Sequence, residues 1–141
     1  MKFGLRHDFR NPAPWFRPYA DLYRLLLEQC VRADELGYDN LWLTEHHFSG
    51  DYNPAPLQAA TALASRTERI RLGTFVLLLP FYHPVRVAED VAFIDNLSHG
   101  RFDLGVGQRV SHRRVHRLQH GTQRTIGTAR RGSELVAPVV D

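Results

Sequence analysis

Cysteine and lysine are all but absent from this chain of 141 residues, and each scarcity excludes something. With Cys30 as its one cysteine, the chain can form no internal disulfide. The helical spacing of Cys30 from Leu26, Leu27 and Ala33 favours a buried, inert thiol over a redox or metal role. One lysine stands against 17 arginines, the bias a GC-rich coding sequence tends to produce. Long apolar runs are missing too: Phe75 to Phe81 is the longest, well short of the roughly 18 uncharged residues a membrane span needs. Met1-Lys2-Phe3-Gly4 leads directly into a strand-like segment, without the apolar core and small-residue cleavage site of a secretory leader. A cytoplasmic location is the expectation.

Acids and aromatics thin out towards the end. Residues 1–108 hold 11 Lys+Arg against 13 Asp+Glu, whereas residues 109–141 hold 7 against 2 and have no aromatic residue. The net charge of +3 therefore belongs to the tail. Apolar residues there are too sparse for a helical or a strand period, so the tail is expected to be poorly ordered. Its arginines could meet phosphates, but they lack aromatic interleaving and any recognisable module, so nucleic acid is an unfavoured partner.

What is there is periodic. Lys2 to His7 reads as a strand, and Asn11-Pro12-Ala13-Pro14-Trp15 as a loop. From Tyr19 to Leu36 the residues Leu22, Leu26, Cys30, Ala33 and Leu36 recur at helical spacing, with Gly37 placed to end the helix. Asp39 to Thr44 reads as a second strand and Pro56 to Arg66 as a helix opened by proline. Ile70 to Leu79 is a continuous apolar run of the kind a parallel strand buried on both faces shows. Pro84 to Leu97 is a third helix and Arg101 to Gly107 a fourth strand. The order βαβαβαβ, with strands recurring every 31 to 37 residues, predicts an α/β fold with a parallel sheet and right-handed crossovers. Trp42 and Phe93 fall at positions expected to face the core.

Two motifs could carry chemistry. Glu45-His46-His47-Phe48 follows the second strand, at the carboxyl ends where parallel α/β folds place functional loops. A carboxylate beside imidazoles can move protons, orient a ligand or bind a metal. Adjacent side chains on an extended backbone point to opposite faces, so at most one histidine faces the site, and the other reading is that a histidine merely caps the loop. No further histidine spacing supports a metal. Gly105-Val106-Gly107 lacks the third glycine of a dinucleotide loop, with Val110 in its place. The alternative is that small residues let a planar ligand or another backbone come close.

Met1-Lys2-Phe3-Gly4, Gly37-Tyr38-Asp39, Trp42 to Phe48, Gly73-Thr74, Leu79-Pro80, His83-Pro84-Val85-Arg86, Ala88-Glu89-Asp90 and Gly100-Arg101-Phe102 stand in order as in bacterial luciferase and its relatives. Through residue 108 the chain resembles the N-terminal half of a luciferase-like, flavin-dependent (β/α)8 oxidoreductase. That resemblance implies a TIM half-barrel of about four parallel strands and three helices, and a monooxygenase acting with reduced flavin and oxygen. It implies FMN, with a deazaflavin as the alternative.

By the same resemblance His46 assists the flavin chemistry, with His47 beside it, and Glu45, Phe75, Val76, Gly107 and Gln108 bind the cofactor. A non-proline cis peptide falls at Phe75-Val76, where Phe75 is larger than the residue in luciferase, and Gln108 stands where relatives commonly have arginine. His83, Glu89 and Asp90 match positions near a helix-packed dimer interface, so a homo-oligomer is expected.

Agreement with the motifs stops near residue 108, and the composition of residues 109–141 is that of a GC-rich gene read out of frame. The expectation is a chain with little activity alone. The competing reading is a non-catalytic fragment that pairs with another half-barrel or with itself.

Overall fold

A computed structural model describes residues 1–47 and 53–108; Phe48 and the basic tail lie outside the described residues. The elements are β1 (Gly4–His7), α1 (Tyr19–Glu35), β2 (Asn40–Leu43), α2 (Pro56–Ala64), β3 (Arg71–Thr74), β4 (Leu77–Leu78), α3 (Pro84–Leu97), β5 (Phe102–Asp103) and β6 (Val106–Gly107). Strands β1, β2, β3 and β5 lie in that order in one parallel sheet, and β4 pairs with β6 in a second parallel pair.

Register explains the layers. Leu5, Leu41, Leu72 and Phe102 stand side by side across the four strands and belong to the core that Leu22, Leu26, Leu57, Ala60, Leu63, Val87 and Ile94 complete from the helices. Arg6, Trp42, Gly73 and Asp103 align on the opposite face, which is interior in a closed barrel. A one-residue slip would exchange the two sets, so the apolar row fixes the register.

Helix α1 buries Leu22, Leu26, Cys30 and Ala33, the residues whose spacing announced it. It ends because Gly37 takes φ +83°, letting the N–H groups of Gly37 and Tyr38 return to the carbonyls of Asp34 and Ala33, both at 3.1 Å.

The long third and fourth strands expected from the sequence are each broken in two. A cis peptide between Phe75 and Val76 separates β3 from β4, and Leu104-Gly105 separates β5 from β6. An apolar run records burial, not backbone direction. Phe93 is also a correction: it is 60% exposed, because Val87 and Ile94 form the buried stripe of α3 and the residue beside Ile94 points about 100° away. Trp42 is half-buried, over Gly73 and edge-on to Phe75 with ring centroids 6.3 Å apart.

The N-terminal ends of the strands are tied by polar side chains. The Asp34 carboxylate accepts N–H groups from Glu68, Arg69 and Ile70 at 2.9, 3.1 and 2.7 Å. The Arg101 guanidinium donates to the carbonyls of Thr67, Ile70 and Ser98 at 2.7, 2.7 and 2.8 Å. Arg71 makes a forked pair with Asp103 at 2.8 and 2.6 Å, but both side chains are over a third exposed. Solvent screening limits such a pair, so Arg71→Gln is expected to cost under about 1 kcal/mol, read as a small shift of the urea midpoint.

Candidate functional site

The C-terminal ends of the strands gather most of the residues singled out above. Thr44 follows β2; its N–H reaches the His7 carbonyl at 3.3 Å and its hydroxyl donates to Asp8 at 3.0 Å, joining the ends of β1 and β2. Burial holds the His7 imidazole below the usual histidine range, against the opposing pull of Gln29 and Asp8. The Phe9 N–H points at its Nδ1.

Glu45 continues the buried side of β2, and its side chain has no exposed surface. Its Oε2 accepts the Leu78 N–H at 2.6 Å, while Oε1 accepts the Tyr82 hydroxyl at 3.0 Å and also meets His47 Nε2. The carboxylate is thus directed at β4 and the turn before α3, not at the open mouth. His47 lies against the Phe81 ring, edge-on at 4.7 Å. His47 turns towards Glu45. The His46 N–H donates to the Asn53 carbonyl at 3.0 Å. Asn53 is buried, and its Nδ2 has no partner among the described residues.

Val76 sits beside Gly107. The Phe75 ring is 59% exposed; Val76 is packed so closely that a Cβ on Gly107 would stand 2.5 Å from its Cγ2. A Cβ on Gly105 would stand 2.1 Å from the Thr74 carbonyl oxygen. Close approach of the Thr74 backbone to Gly105 and of the Val76 side chain to Gly107 therefore accounts for both glycines without a phosphate. Gln108 is exposed just past β6.

His83, Glu89 and Asp90 are elsewhere, His83 just before α3 and the two acids on it, where Arg86 bridges Glu89 at 2.6 Å and Asp90 at 3.5 Å. Among the described residues no group of three His, Cys, Asp or Glu could hold a metal ion, and no helix is long and apolar enough to cross a membrane.

Sequence reasoning missed Tyr82 and Asp8. Burial first, and then the Glu45 carboxylate beside it, push the Tyr82 phenol up, so it stays a donor. No local spacing marks it, because its partner lies 37 residues earlier.

Comparison with known proteins agrees with this geometry. The sequence profile of the luciferase-like monooxygenases matches residues 1–136, running past residue 108 into the basic segment. The chain is 48% identical over 83 residues to 4-hydroxyprotoasukamycin monooxygenase of Streptomyces nodosus subsp. asukaensis, covering 57% of this chain and 22% of that protein. The monooxygenase RslO1 from Streptomyces bottropensis superposes with a TM-score of 0.85 at 32% identity, over 96% of this chain and 42% of that one. The oxygenating constituent of 3,6-diketocamphane monooxygenase from Pseudomonas putida, a Baeyer-Villiger enzyme solved with FMN, superposes with a TM-score of 0.82 at 24% identity, over 96% and 38%. The chain spans about a quarter of the length of the curated relatives it matches. It belongs to the luciferase-like monooxygenase family, and its described residues form the first half of that family's barrel.

Proposed function

We propose that this chain supplies one wall of a reduced-flavin site, with FMN as the cofactor, in a monooxygenase that uses reduced flavin and oxygen. The observation that carries this reading is the exposed Phe75 side chain where the strands end, with Gly107 packed under its neighbour Val76. A flat apolar platform of this kind fits a planar ring system. Phe75 and Val76 form the platform, Gly107 lets Val76 sit close, and the exposed Gln108 amide serves a polar edge or phosphate. His46, next to Glu45 in the chain, holds or passes a proton, the role an imidazole suits. Bound reduced flavin would supply the electrons for oxygen.

The outer face of α3, where Phe93 is 60% and Val85 47% exposed beside His83, Glu89 and Asp90, is the surface this reading gives to a second subunit.

Anaerobic titration of the purified chain with reduced FMN, followed by flavin fluorescence, tests the proposal. FMN is expected to bind in preference to a deazaflavin. Phe75→Ala should weaken binding about five- to tenfold, the value of one ring contact. Equal affinity for wild type and Phe75→Ala would sink the platform. Binding with no oxygen consumption on reduction would favour the fragment that needs another half-barrel.

A further inference from the structure

We propose that the cleft between α1 and α2 is a binding site for a small, uncharged, mostly apolar molecule that carries one hydrogen-bond acceptor, a ketone or ester carbonyl. Large side chains face small ones there. Phe9, Tyr23 and Leu27 form one wall, while Ala55, Ala59 and Ala62, at helical spacing into and along α2, form the other, leaving a cavity of about 250 Å³. On the scale at which about 150 Å³ takes benzene, such a space takes roughly ten non-hydrogen atoms. The Phe9 and Tyr23 rings stand 6.0 Å apart at 49°, an aromatic side against which a flat ring can lie.

Asn53 supplies the polar point. It lines the cavity and is 3% exposed. The Ala55 N–H, which can only donate, occupies Oδ1 at 3.0 Å, and that fixes which end of the amide is which. Nδ2 is left with no partner among the described residues. A buried donor without an acceptor is destabilising, so an incoming carbonyl oxygen gains a hydrogen bond that the free protein lacks. Water is a poor substitute, because a buried water makes about three hydrogen bonds and these walls are mainly apolar. Gln58, the other amide here, is exposed at the rim. No lining residue is charged, so an anion would lose hydration without gaining a counter-charge.

The cleft is separate from the proposed flavin wall, since Phe75, Val76, Gly107 and Gln108 do not line it. It touches the loop after β2 through one residue: the Asn53 carbonyl accepts the His46 N–H at 3.0 Å. Occupancy of the cleft requires no flavin.

Acetophenone, isopropylbenzene and benzoate share one size and differ in the group attached to the ring. Each is titrated into the full chain, with the Asn53 side-chain NH2 and the Ala59 and Ala62 methyl groups followed by NMR. Acetophenone is expected to bind about fivefold more tightly than isopropylbenzene, the range of one hydrogen bond to a group otherwise unpaired, and benzoate more weakly than acetophenone. Bound acetophenone should shift the Asn53 NH2 signals and show nuclear Overhauser contacts to both methyl groups.

Asn53→Asp keeps an acceptor for the Ala55 N–H and removes the NH2, so the advantage of acetophenone over isopropylbenzene should vanish. Ala62→Leu fills the cleft from a half-buried position and should weaken both probes about tenfold while the rest of the amide spectrum stays in place. Mere distortion of the loop would weaken the two probes alike and leave their ratio unchanged. Equal affinity for the two in the wild type, or an advantage that survives Asn53→Asp, would overturn the site. So would benzoate binding as tightly as acetophenone, contacts to the Phe75 ring in place of the alanines, or a folded chain that binds neither probe.

Discussion

Gly105→Ala is expected to lower stability by about 3 kcal/mol, one of the two largest single-site effects in the described residues. The added Cβ would stand 2.1 Å from the Thr74 carbonyl oxygen, and that obstacle is backbone, which cannot rotate away. Gly105 cannot retreat either. Its N–H donates to the Thr74 hydroxyl at 3.1 Å, and its carbonyl accepts that hydroxyl at 2.8 Å and the Leu77 N–H at 2.8 Å. Relief of the clash therefore breaks hydrogen bonds on both sides of the cis turn. Thermal unfolding should shift by about 10 °C for a chain of this size. Gly37→Ala is the control: Gly37 has φ +83° and nothing within 4 Å of its added Cβ, so only backbone strain opposes it, about 1 kcal/mol. Because Gly105 also holds the Val76 side of the candidate platform, FMN affinity should fall in Gly105→Ala and not in Gly37→Ala. Equal losses in the two alanine variants would show that the β3–β5 approach does not limit the fold.

What the sequence disclosed is what periodicity can carry. Helices α1 and α3 start and stop where the apolar stripe, Gly37 and Pro84 place them, and the four-strand parallel order followed from the β–α repeat. The breaks in β3 and β5 were hidden because Phe75, Val76 and Leu77 stay apolar through a change of direction. Position 75 became readable only through the resemblance, which put the cis peptide where it is found. Glu45 stood out in the sequence as a candidate site residue, but its place as a buried brace was not legible, since its partners Leu78 and Tyr82 lie 33 and 37 residues away. Phe93 was misplaced because one residue of helical phase decides between core and surface.

Asp34→Ala is the other large effect, expected to cost about 3 kcal/mol at neutral pH. Removing the carboxylate leaves the buried Ile70 N–H and the part-buried Glu68 and Arg69 N–H groups without their acceptor, at about 1–3 kcal/mol for each group that finds no substitute. Burial alone would raise the Asp34 carboxyl, but the three N–H donors and the Arg69 charge together outweigh it and hold the group below the usual aspartate range. A folded value below the unfolded one gives stability that is full above the unfolded value and lost as pH falls through the folded one. The wild type should therefore weaken from about pH 4 downward through this group, and Asp34→Ala should lack that part of the decline. Asp34→Asn keeps the shape but offers one acceptor where there were two and turns an NH2 towards an N–H, so it should recover little of the loss. Urea midpoints at pH 7 and pH 3 decide the matter: the gap between wild type and Asp34→Ala should narrow in acid. A gap that stays constant would assign the cost to lost packing at the end of α1 and not to the charge that joins it to β3.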